Sequence, residues 1–538
     1  MKEFKPTAEQ TAILEHEESC VITACPGSGK TAVIAAKIRQ TLLSTLKYRG
    51  VIAISYTRKA SAELRRRCTF DGIDAHGSFF GTIDSFSISE IVRPFLPHFS
   101  SNAPKKLEVV KRNSLEGYTL EIFERLQSAE IDNVIEIAVQ LFQQGTLVLE
   151  SVPTVALAII RKSKACQRYL ASKYTHLFID EYQDAGYLQH QLFLSLHALG
   201  ITATAVGDLR QSIYAYDGRD PKFLADLSKD KKFKHFELTQ NHRSHNSIIN
   251  YSNRLRDQDA ELLPIDKLTI YRKTVSGGPK DIAFWIDEKL ASMMKHFNVE
   301  HRNGIAILVR SNASAERIST HLKSPHKIFR DAALENSPTK FGKLFAALLK
   351  MRFDKGSTVQ SLWEELEFDG PRLEKQRLRR ALDMCKRGPY EDLDANIIKT
   401  VEILSGGSLD EEDIELLEST IADPVEVAAL TPAADDQIQV MTLHKSKGLE
   451  FDVVLHLDLY DWIIPKRQVV DGASEPVFDN YDQCLNLHYV GVTRAKKGCI
   501  LLGSTERINA KGRQVRAAPS QFLSLPNFDS LYKTLGSS

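Results

Sequence analysis

The sequence contains no apolar run approaching the roughly 18 residues a membrane-spanning helix needs, so no membrane anchor is expected. Its first residues, "MKEFKPTAEQTAILEHEE", lack the apolar stretch of a secretory signal, and a cytoplasmic location follows as the expectation. Cysteine is sparse and scattered. The seven thiols, at 20, 25, 68, 166, 385, 484 and 499, are odd in number and form no Cys-x-x-Cys pair, which argues against a disulfide framework and a zinc site and leaves reduced, buried thiols. Net charge is nearly absent, with 70 Lys and Arg against 69 Asp and Glu. An overall positive field is therefore excluded as a means of holding nucleic acid, and any such binding must come from local patches. Low-complexity segments and internal repeats are also missing.

What is present reads as an ordinary globular chain, 43% hydrophobic and 26% charged. At about 150 residues per domain, 538 residues suggest three or four domains. Short apolar runs that read as buried strands recur between helical patterns: "SCVITAC", "GVIAISY", "THLFIDE" and "TATAVGD", then "GIAILVR", "IQVMTLH" and "DVVLHLDL". Alternation of strand and helix implies parallel sheets covered on both faces, an α/β class. The runs form two groups, each interrupted by a stretch rich in helix formers and poor in strand patterns. The division expected is a first lobe from 1–86 and 169–240 with a helical insertion at 87–168, and a second lobe from 241–339 and 431–538 with a short helical insertion at 340–430.

After the first strand comes "ACPGSGKT", ahead of the helical run "AVIAAKIRQTLL". Its residues Ala24, Cys25, Pro26, Gly27, Ser28, Gly29, Lys30 and Thr31 form a phosphate loop, with Ala24 where the usual pattern has glycine. Gly27 and Gly29 let backbone N–H groups turn toward phosphate oxygens, Lys30 reaches the outer phosphates, and the Thr31 hydroxyl ligates Mg²⁺. ATP and Mg²⁺ are the expected nucleotide and metal. "THLFIDE" ends a strand with two carboxylates, costly without a task. Asp180 suits the metal and Glu181 an attacking water. Charge left on the γ-phosphate calls for arginine opposite the loop, and Arg243 in "LTQNHRS" and Arg494 in "YVGVTRAKK" are the candidates. Each of these motifs alone has a plainer explanation, as a chance loop, a solvated turn or a surface charge. Their combination does not.

In their order and spacing, Gln10 in "TAEQ", "ACPGSGKT", "ISYTRKASAEL", "GTIDSF", "FIDEYQD", "VGDLRQSIYAYDG", "LTQNHRS", "VMTLHKSKGLEFDVV" and "YVGVTRAKK" resemble the motifs of the UvrD-like helicases of superfamily one, over nearly the whole chain. The resemblance implies two RecA-like lobes with two mainly helical inserted subdomains and an ATP site between the lobes. It implies that Gln10 reads the adenine edge, that His242 stands where an adenine-stacking tyrosine is usual, that Glu450 contacts the ribose, and that Gln211 senses the γ-phosphate. Tyr56, Tyr214, Tyr216 and His444 become single-strand contacts. Tyr214 and Tyr216 share the parity of an extended segment and so suit a stacking platform, although without the neighbouring glutamine and the motif context half-buried packing would be the preferred explanation. Arg58, Lys59, Arg65, Arg66 and Arg67 read either as a phosphate track or as a solvated helix face.

The sequence departs from the family pattern at Asp84, where histidine is common, and at Asp217, where arginine is usual. Both insertions are short. Within the family the chain looks most like the helicase-like B subunit of Gabija anti-phage systems, which implies a separate partner nuclease of the OLD type. The resulting expectation is a DNA-stimulated ATPase that binds single-stranded or tailed duplex DNA and moves 3′ to 5′, the polarity being implied by the resemblance alone. A DNA-sensing regulatory ATPase without productive unwinding and an autonomous repair helicase remain as alternatives. A small-molecule kinase would leave "QSIYAY", "HKSKGLEFD" and "YVGVTRAKK" unused.

Overall fold

The computed structural model describes residues 5–69, 72–102, 104, 107–131, 133–213, 219–330, 332–337, 341–354, 356–366, 372–468, 477–509 and 511–536. Before residue 240 the strands are β1 (Cys20–Ala24), β2 (Gly50–Ile54), β3 (Phe79–Gly81), β4 (Glu108–Val110), β5 (Thr146–Val148), β6 (Tyr174–Ile179), β7 (Thr202–Gly207) and β8 (Lys234–Leu238). Six of them form one parallel sheet in the order β3-β2-β6-β7-β1-β8, with Cys20 of β1 opposite Thr204 of β7 and Lys234 of β8. The apolar character of these strands follows from burial on both faces. Ile22, Val51, Ala53, Phe178 and Val206 pack with the helices Ala8–Glu15 and Lys30–Ser44. Val21, Ile52, Ile54, Leu177, Ile179, Ala203 and Ala205 point the other way, as alternation along a strand requires.

That second face continues without a break into the core of the first insertion, through Phe86, Ile122, Phe142 and Ile160. The insertion opens on a π-helix, Ser87–Val92. Its Glu90 accepts hydrogen bonds from the Tyr169 hydroxyl at 2.8 Å, Lys173 Nζ at 2.7 Å and the Tyr174 hydroxyl at 2.7 Å. Tyr174 begins β6, so the insertion is tied to the strand that carries Asp180 at its other end.

The second half holds β9 (Ile270–Val275), β10 (Ile305–Val309), β11 (His326–Ile328), β12 (Ile438–Thr442), β13 (Phe451–His456), β14 (Arg467–Gln468), β15 (Val477–Phe478), β16 (Ala495–Ser504), β17 (Glu506–Ile508), β18 (Gln514–Arg516) and β19 (Lys533–Thr534). Seven make a parallel sheet ordered β11-β12-β10-β13-β16-β9-β19, while β14-β15 and β17-β18 are separate antiparallel pairs. Strands β9 and β16 lie inside this sheet, although "IYRKTV" carries charges and "AKKGCILLGS" opens on two lysines and keeps only a short apolar run. Residues 332–430 are helical in their described parts and have their own core around Phe345, Leu349, Leu382, Ile397 and Leu417. All seven cysteines are buried and unpaired. Among the described residues no helix is long and apolar enough to cross a membrane.

Candidate nucleotide site

The carboxyl ends of four neighbouring strands of the first sheet deliver the polar groups of the site, as expected for an open parallel sheet. Beyond β1 the loop runs Cys25 to Gly29 into the helix Lys30–Ser44, with Gly29 at its N-cap. Gly27 has φ 73° and Gly29 φ 82°. A Cβ on Gly27 would come within 2.3 Å of Asn241 Oδ1 and 2.8 Å of Arg243 Cβ, so the loop lies directly under the segment that follows β8. Ser28 closes the turn on the Cys25 carbonyl at 2.8 Å, and Gln10 Nε2 donates to the Ser28 carbonyl at 3.0 Å. The Gln10 oxygen accepts from the Thr7 N–H at 3.0 Å in a capping box, which orients the amide. Thr31 is half-buried in the first turn of the helix.

Beyond β6, Asp180 is buried, and Glu181 sits in the left-handed region at φ 55°. For a non-glycine residue that conformation costs on the order of 1–2 kcal/mol and is held by partners. Lys30 Nζ lies 3.0 Å from Glu181 Oε1, and Gln183 Nε2 donates to Oε2 at 2.5 Å. Burial, and then the Glu181 charge, push Asp180 up to about 6. Burial works against Glu181 ionising too, but Lys30 and Lys447 outweigh it and hold this carboxyl at about 2. Burial alone would lower Lys30, yet Glu181, Asp180 and Asp208 raise it above the usual lysine range.

These groups continue as one buried chain of hydrogen bonds. Gln183 Oε1 accepts the Asp208 N–H at 3.0 Å, Asp208 Oδ2 accepts Gln211 Nε2 at 2.8 Å, and Gln211 Oε1 accepts Arg494 Nη2 at 3.2 Å. The chain thus runs from the phosphate-loop lysine, along the edge of the first sheet, to an arginine of the second lobe. Arg494 is only 2% exposed and caps the helix Tyr481–Thr493. It also donates to the carbonyls of Val490 and Leu449. Burial, and then the Arg243 charge, push it down to about 10, still cationic at neutral pH. Arg243 donates to Glu450 Oε1 at 2.7 Å and to the Thr493 carbonyl at 2.7 Å, while its Nε is buried without a partner. His242 is exposed and holds the Gly27 carbonyl through its backbone N–H at 2.9 Å.

The structure therefore brings Gln10, the loop from Ala24 to Thr31, Asp180, Glu181, Gln211, Arg243 and Arg494 together, with His242 and Glu450 at the rim. The remaining residues are separate from this cluster or outside the description. Tyr56 is half-buried; its hydroxyl donates to the Asp184 carbonyl, and the Arg219 guanidinium covers its ring at 4.5 Å. His444 is half-buried, and burial with the charges of Arg310 and Lys447 pushes it down to about 4. Tyr214, Tyr216 and Asp217 lie outside the described residues. Arg66 and Arg67 pair with Glu63 on their own helix, at 2.5 and 2.7 Å, which favours a solvated face for those two.

Three residues escaped the sequence reading. Asp208 and Gln183 are links of the polar chain; an Asp two residues before a backbone N–H that it caps, Arg210 at 3.0 Å, is a turn signal that "GDLR" did carry. The third is Lys447, whose Nζ lies 2.5 Å from Asp184 Oδ2, a buried ion pair between the lobes. No local spacing announces a pair separated by 263 positions.

The donor set fits Mg²⁺ by its chemistry. The Thr31 hydroxyl and the Asp180 carboxylate would offer hard oxygen donors beside a helix N-terminus that favours phosphate, and Mg²⁺ takes few protein ligands and completes its shell with phosphate and water. Residues 9–217 match the AAA domain family and residues 395–504 the UvrD-like helicase C-terminal domain family. The chain belongs to the UvrD-like helicases. Among related proteins of this family, the Gabija protein GajB of Bacillus cereus is 28% identical over 91% of this chain and 94% of its own. The ATP-dependent DNA helicase Rep of Escherichia coli is 23% identical over 96% and 93%. UvrD1 of Mycobacterium tuberculosis, also an ATP-dependent DNA helicase, is 22% identical over 96% and 85%. The match to Rep extends over 634 positions, more than the 538 residues of this chain, so Rep carries segments this UvrD-like chain lacks.

Proposed function

We propose that this ATP-hydrolysing DNA helicase is a single-strand translocase of 3′ to 5′ polarity that works in an anti-phage defence complex with a separate nuclease of the OLD type. The observation that carries the reading is the polar chain from Lys30 to Arg494, because a γ-phosphate placed between them would touch both lobes at once. Hydrolysis forms a bond from water oxygen to the γ-phosphorus as the bond to the bridging oxygen breaks. Charge on the transferring phosphoryl group then meets Lys30, Arg243 and Arg494. Thr31 and Asp180 would hold Mg²⁺, which supplies charge neutralisation at the phosphates. Glu181 takes the proton of the attacking water. In the structure Lys30 and Glu181 neutralise one another at 3.0 Å. Drawing Lys30 to a phosphate removes the neighbour that holds Glu181 down, so nucleotide binding itself makes the carboxylate a better base.

Coupling to DNA runs through Gln211, whose neighbours Tyr214 and Tyr216 offer faces for unstacked bases. Each stacked base is worth about 1–3 kcal/mol. Replacing both tyrosines by alanine is expected to weaken binding of a fluorescent oligothymidylate and to remove DNA stimulation while basal ATP turnover survives. Unchanged strand affinity would assign the tyrosines to packing instead. The defence role and its partner rest on the likeness to the Gabija protein over nearly all of both chains. An autonomous helicase is the second reading, favoured by the likeness to Rep. The deciding experiment compares the chain alone and with the product of its genomic neighbour on duplexes carrying a 3′ or a 5′ tail, together with co-elution on sizing. Processive unwinding by the lone chain, without a co-eluting partner, would overturn the complex; preference for the 5′ tail would overturn the polarity.

A further inference from the structure

The elements that present the two arginines converge on a second polar chain, deep in the core of lobe two and away from the cleft. Tyr251 lies on the helix Asn246–Arg256, which follows Arg243; His488 lies on the helix Tyr481–Thr493, capped by Arg494; His456 ends β13. All three are 0% exposed. The Tyr251 hydroxyl is 3.0 Å from His488 Nε2, His488 Nδ1 is 3.1 Å from His456 Nε2, and His456 Nδ1 is 3.0 Å from the Leu457 carbonyl.

The direction of this chain is fixed by its last member. A carbonyl only accepts, so His456 carries its proton on Nδ1 and presents a bare Nε2. His488 must then donate from Nδ1, leaving its own Nε2 to accept from the tyrosine. Burial keeps both rings neutral, pushing His456 down to about 4 and His488 well below its ordinary value. Every hydrogen bond is made once and in one sense, so the rings have a single arrangement. Three polar side chains in an apolar core cost free energy unless satisfied, and an aliphatic filling would pack as well without specifying how one helix sits on the next.

The chain also lies where register matters. Gly491, on the face of the helix shared with His488, is so close to β13 that a Cβ there would lie 2.7 Å from His456 Nε2 and 2.6 Å from the Leu443 side chain. The backbone that leads to Arg494 therefore rests on the His456 ring. At the cleft end the same two segments meet again: Ser244 Oγ donates to the Ala495 carbonyl at 2.8 Å, and the His245 N–H donates to the Lys496 carbonyl at 2.8 Å.

We propose that Tyr251, His488 and His456 are positioning residues that set the register of the two helices, so that Arg243 and Arg494 meet one γ-phosphate together. The proposal rests on the reading of the cleft as an ATP site. A misplacement near 1 Å costs on the order of 10²-fold in rate, and the hydrogen bonds of the three residues run within lobe two, whereas most of the nucleotide is held by lobe one. A defect should therefore appear in kcat and spare KM.

The test uses the full chain. In ¹⁵N-histidine spectra at pH 7, assigned with His456→Gln and His488→Gln, both rings are expected as Nδ1–H tautomers; an Nε2–H tautomer at either overturns the chain. In steady-state ATP turnover, Tyr251→Phe is expected to lower kcat about fivefold and His488→Leu about 30-fold, with KM for ATP within about twofold. Unchanged kcat, or a loss seen only as raised KM or lowered melting temperature, overturns the positioning role. Should His488→Leu fail to fold, Tyr251→Phe, which loses one hydroxyl, decides. A wild-type chain without ATPase activity overturns the reading of the cleft and this proposal with it. An active wild type with unaffected variants overturns this proposal alone.

Discussion

The two halves of the cleft are built by different means. Lobe one contributes its groups from strand ends and a helix N-terminus, where backbone geometry sets them; its Lys30 is already compensated by Glu181, while the Asp208 carboxylate accepts from the neutral Gln211 amide. Lobe two contributes Lys447, paired with Asp184 across the lobes, and two arginines held unequally. Arg494 is buried and shared among three carbonyl or amide oxygens and a hydroxyl, whereas Arg243 leans on Glu450, whose side chain is 45% exposed. The difference fits the proposed division, with binding in the first lobe and transition-state charge in the second, because Arg243 is paired with a carboxylate of its own lobe and Arg494 donates to neutral oxygens.

The largest effect expected from this contrast is at Arg494. Arg494→Ala should lower ATP turnover by about 10³-fold or more while nucleotide affinity, measured with a fluorescent analogue, changes little. Arg494→Lys should not restore it, since a point charge cannot span Gln211 and a phosphate as the planar fork does. Wild-type turnover in Arg494→Ala would mean that the cleft is completed within lobe one. Next comes Glu181→Gln, expected to cost roughly 10²–10³-fold in kcat through loss of the base. Here binding should tighten slightly, because Lys30 no longer has a carboxylate to leave; weakened binding would contradict the mutual neutralisation of the pair.

The same contrast governs what could be read without coordinates. Lobe-one groups were legible because each follows a buried strand of near-continuous apolar residues, so position in the sequence gives position at the sheet edge: Lys30 after "CVITA", Asp180 after "YTHLFI". Lobe-two groups were legible only as motifs. Strand β16, which begins directly after Arg494, starts with Ala-Lys-Lys and keeps an apolar run of only four residues, Cys499 to Leu502, and β9 carries Arg and Lys, so neither stands out as a near-continuous apolar strand. The motifs placed Arg243 and Arg494 opposite the phosphate loop, but the individual contacts across the lobes were not legible. Lys447 with Asp184, like Arg494 with Gln211, exists only once the two sheets are apposed, and no local spacing encodes that. The π-helix at Ser87–Val92 and the buried histidine chain are likewise products of packing.

A third expectation concerns acid stability, and separates lobe two by its core. Both rings are neutral when folded, His456 lowered by burial to about 4 and His488 held well below its ordinary value, whereas a histidine of the unfolded chain titrates near 6.5. Between those values the unfolded chain binds more protons, so stability is full above about pH 6.5 and falls as pH drops toward 4. The slope is about 1.4 kcal/mol per pH unit for each ring. Urea midpoints at pH 7, 6 and 5 should fall accordingly, and the His488→Leu chain should show the shallower decline. Equal slopes in the two proteins would mean that His488 is not buried as a neutral ring.

The smallest effect is expected at Glu450, and it asks whether the exposed arm of lobe two is a nucleotide contact or only a rest for Arg243. As an ion pair with a half-exposed carboxylate, its worth is at most about 1 kcal/mol, and Arg243 keeps the Thr493 carbonyl when Glu450 is gone. Glu450→Ala should therefore change kcat by no more than about fivefold. A ribose contact predicts something more particular. Wild type should prefer ATP to 2′-deoxy-ATP, and the variant should lose that preference through KM with kcat for the two nucleotides alike. If the preference persists in the variant, Glu450 holds Arg243 and does not read the sugar. The rim of lobe two would then be electrostatic support alone, and the contrast between a binding lobe and a charge-supplying lobe would be sharper than the family pattern implies.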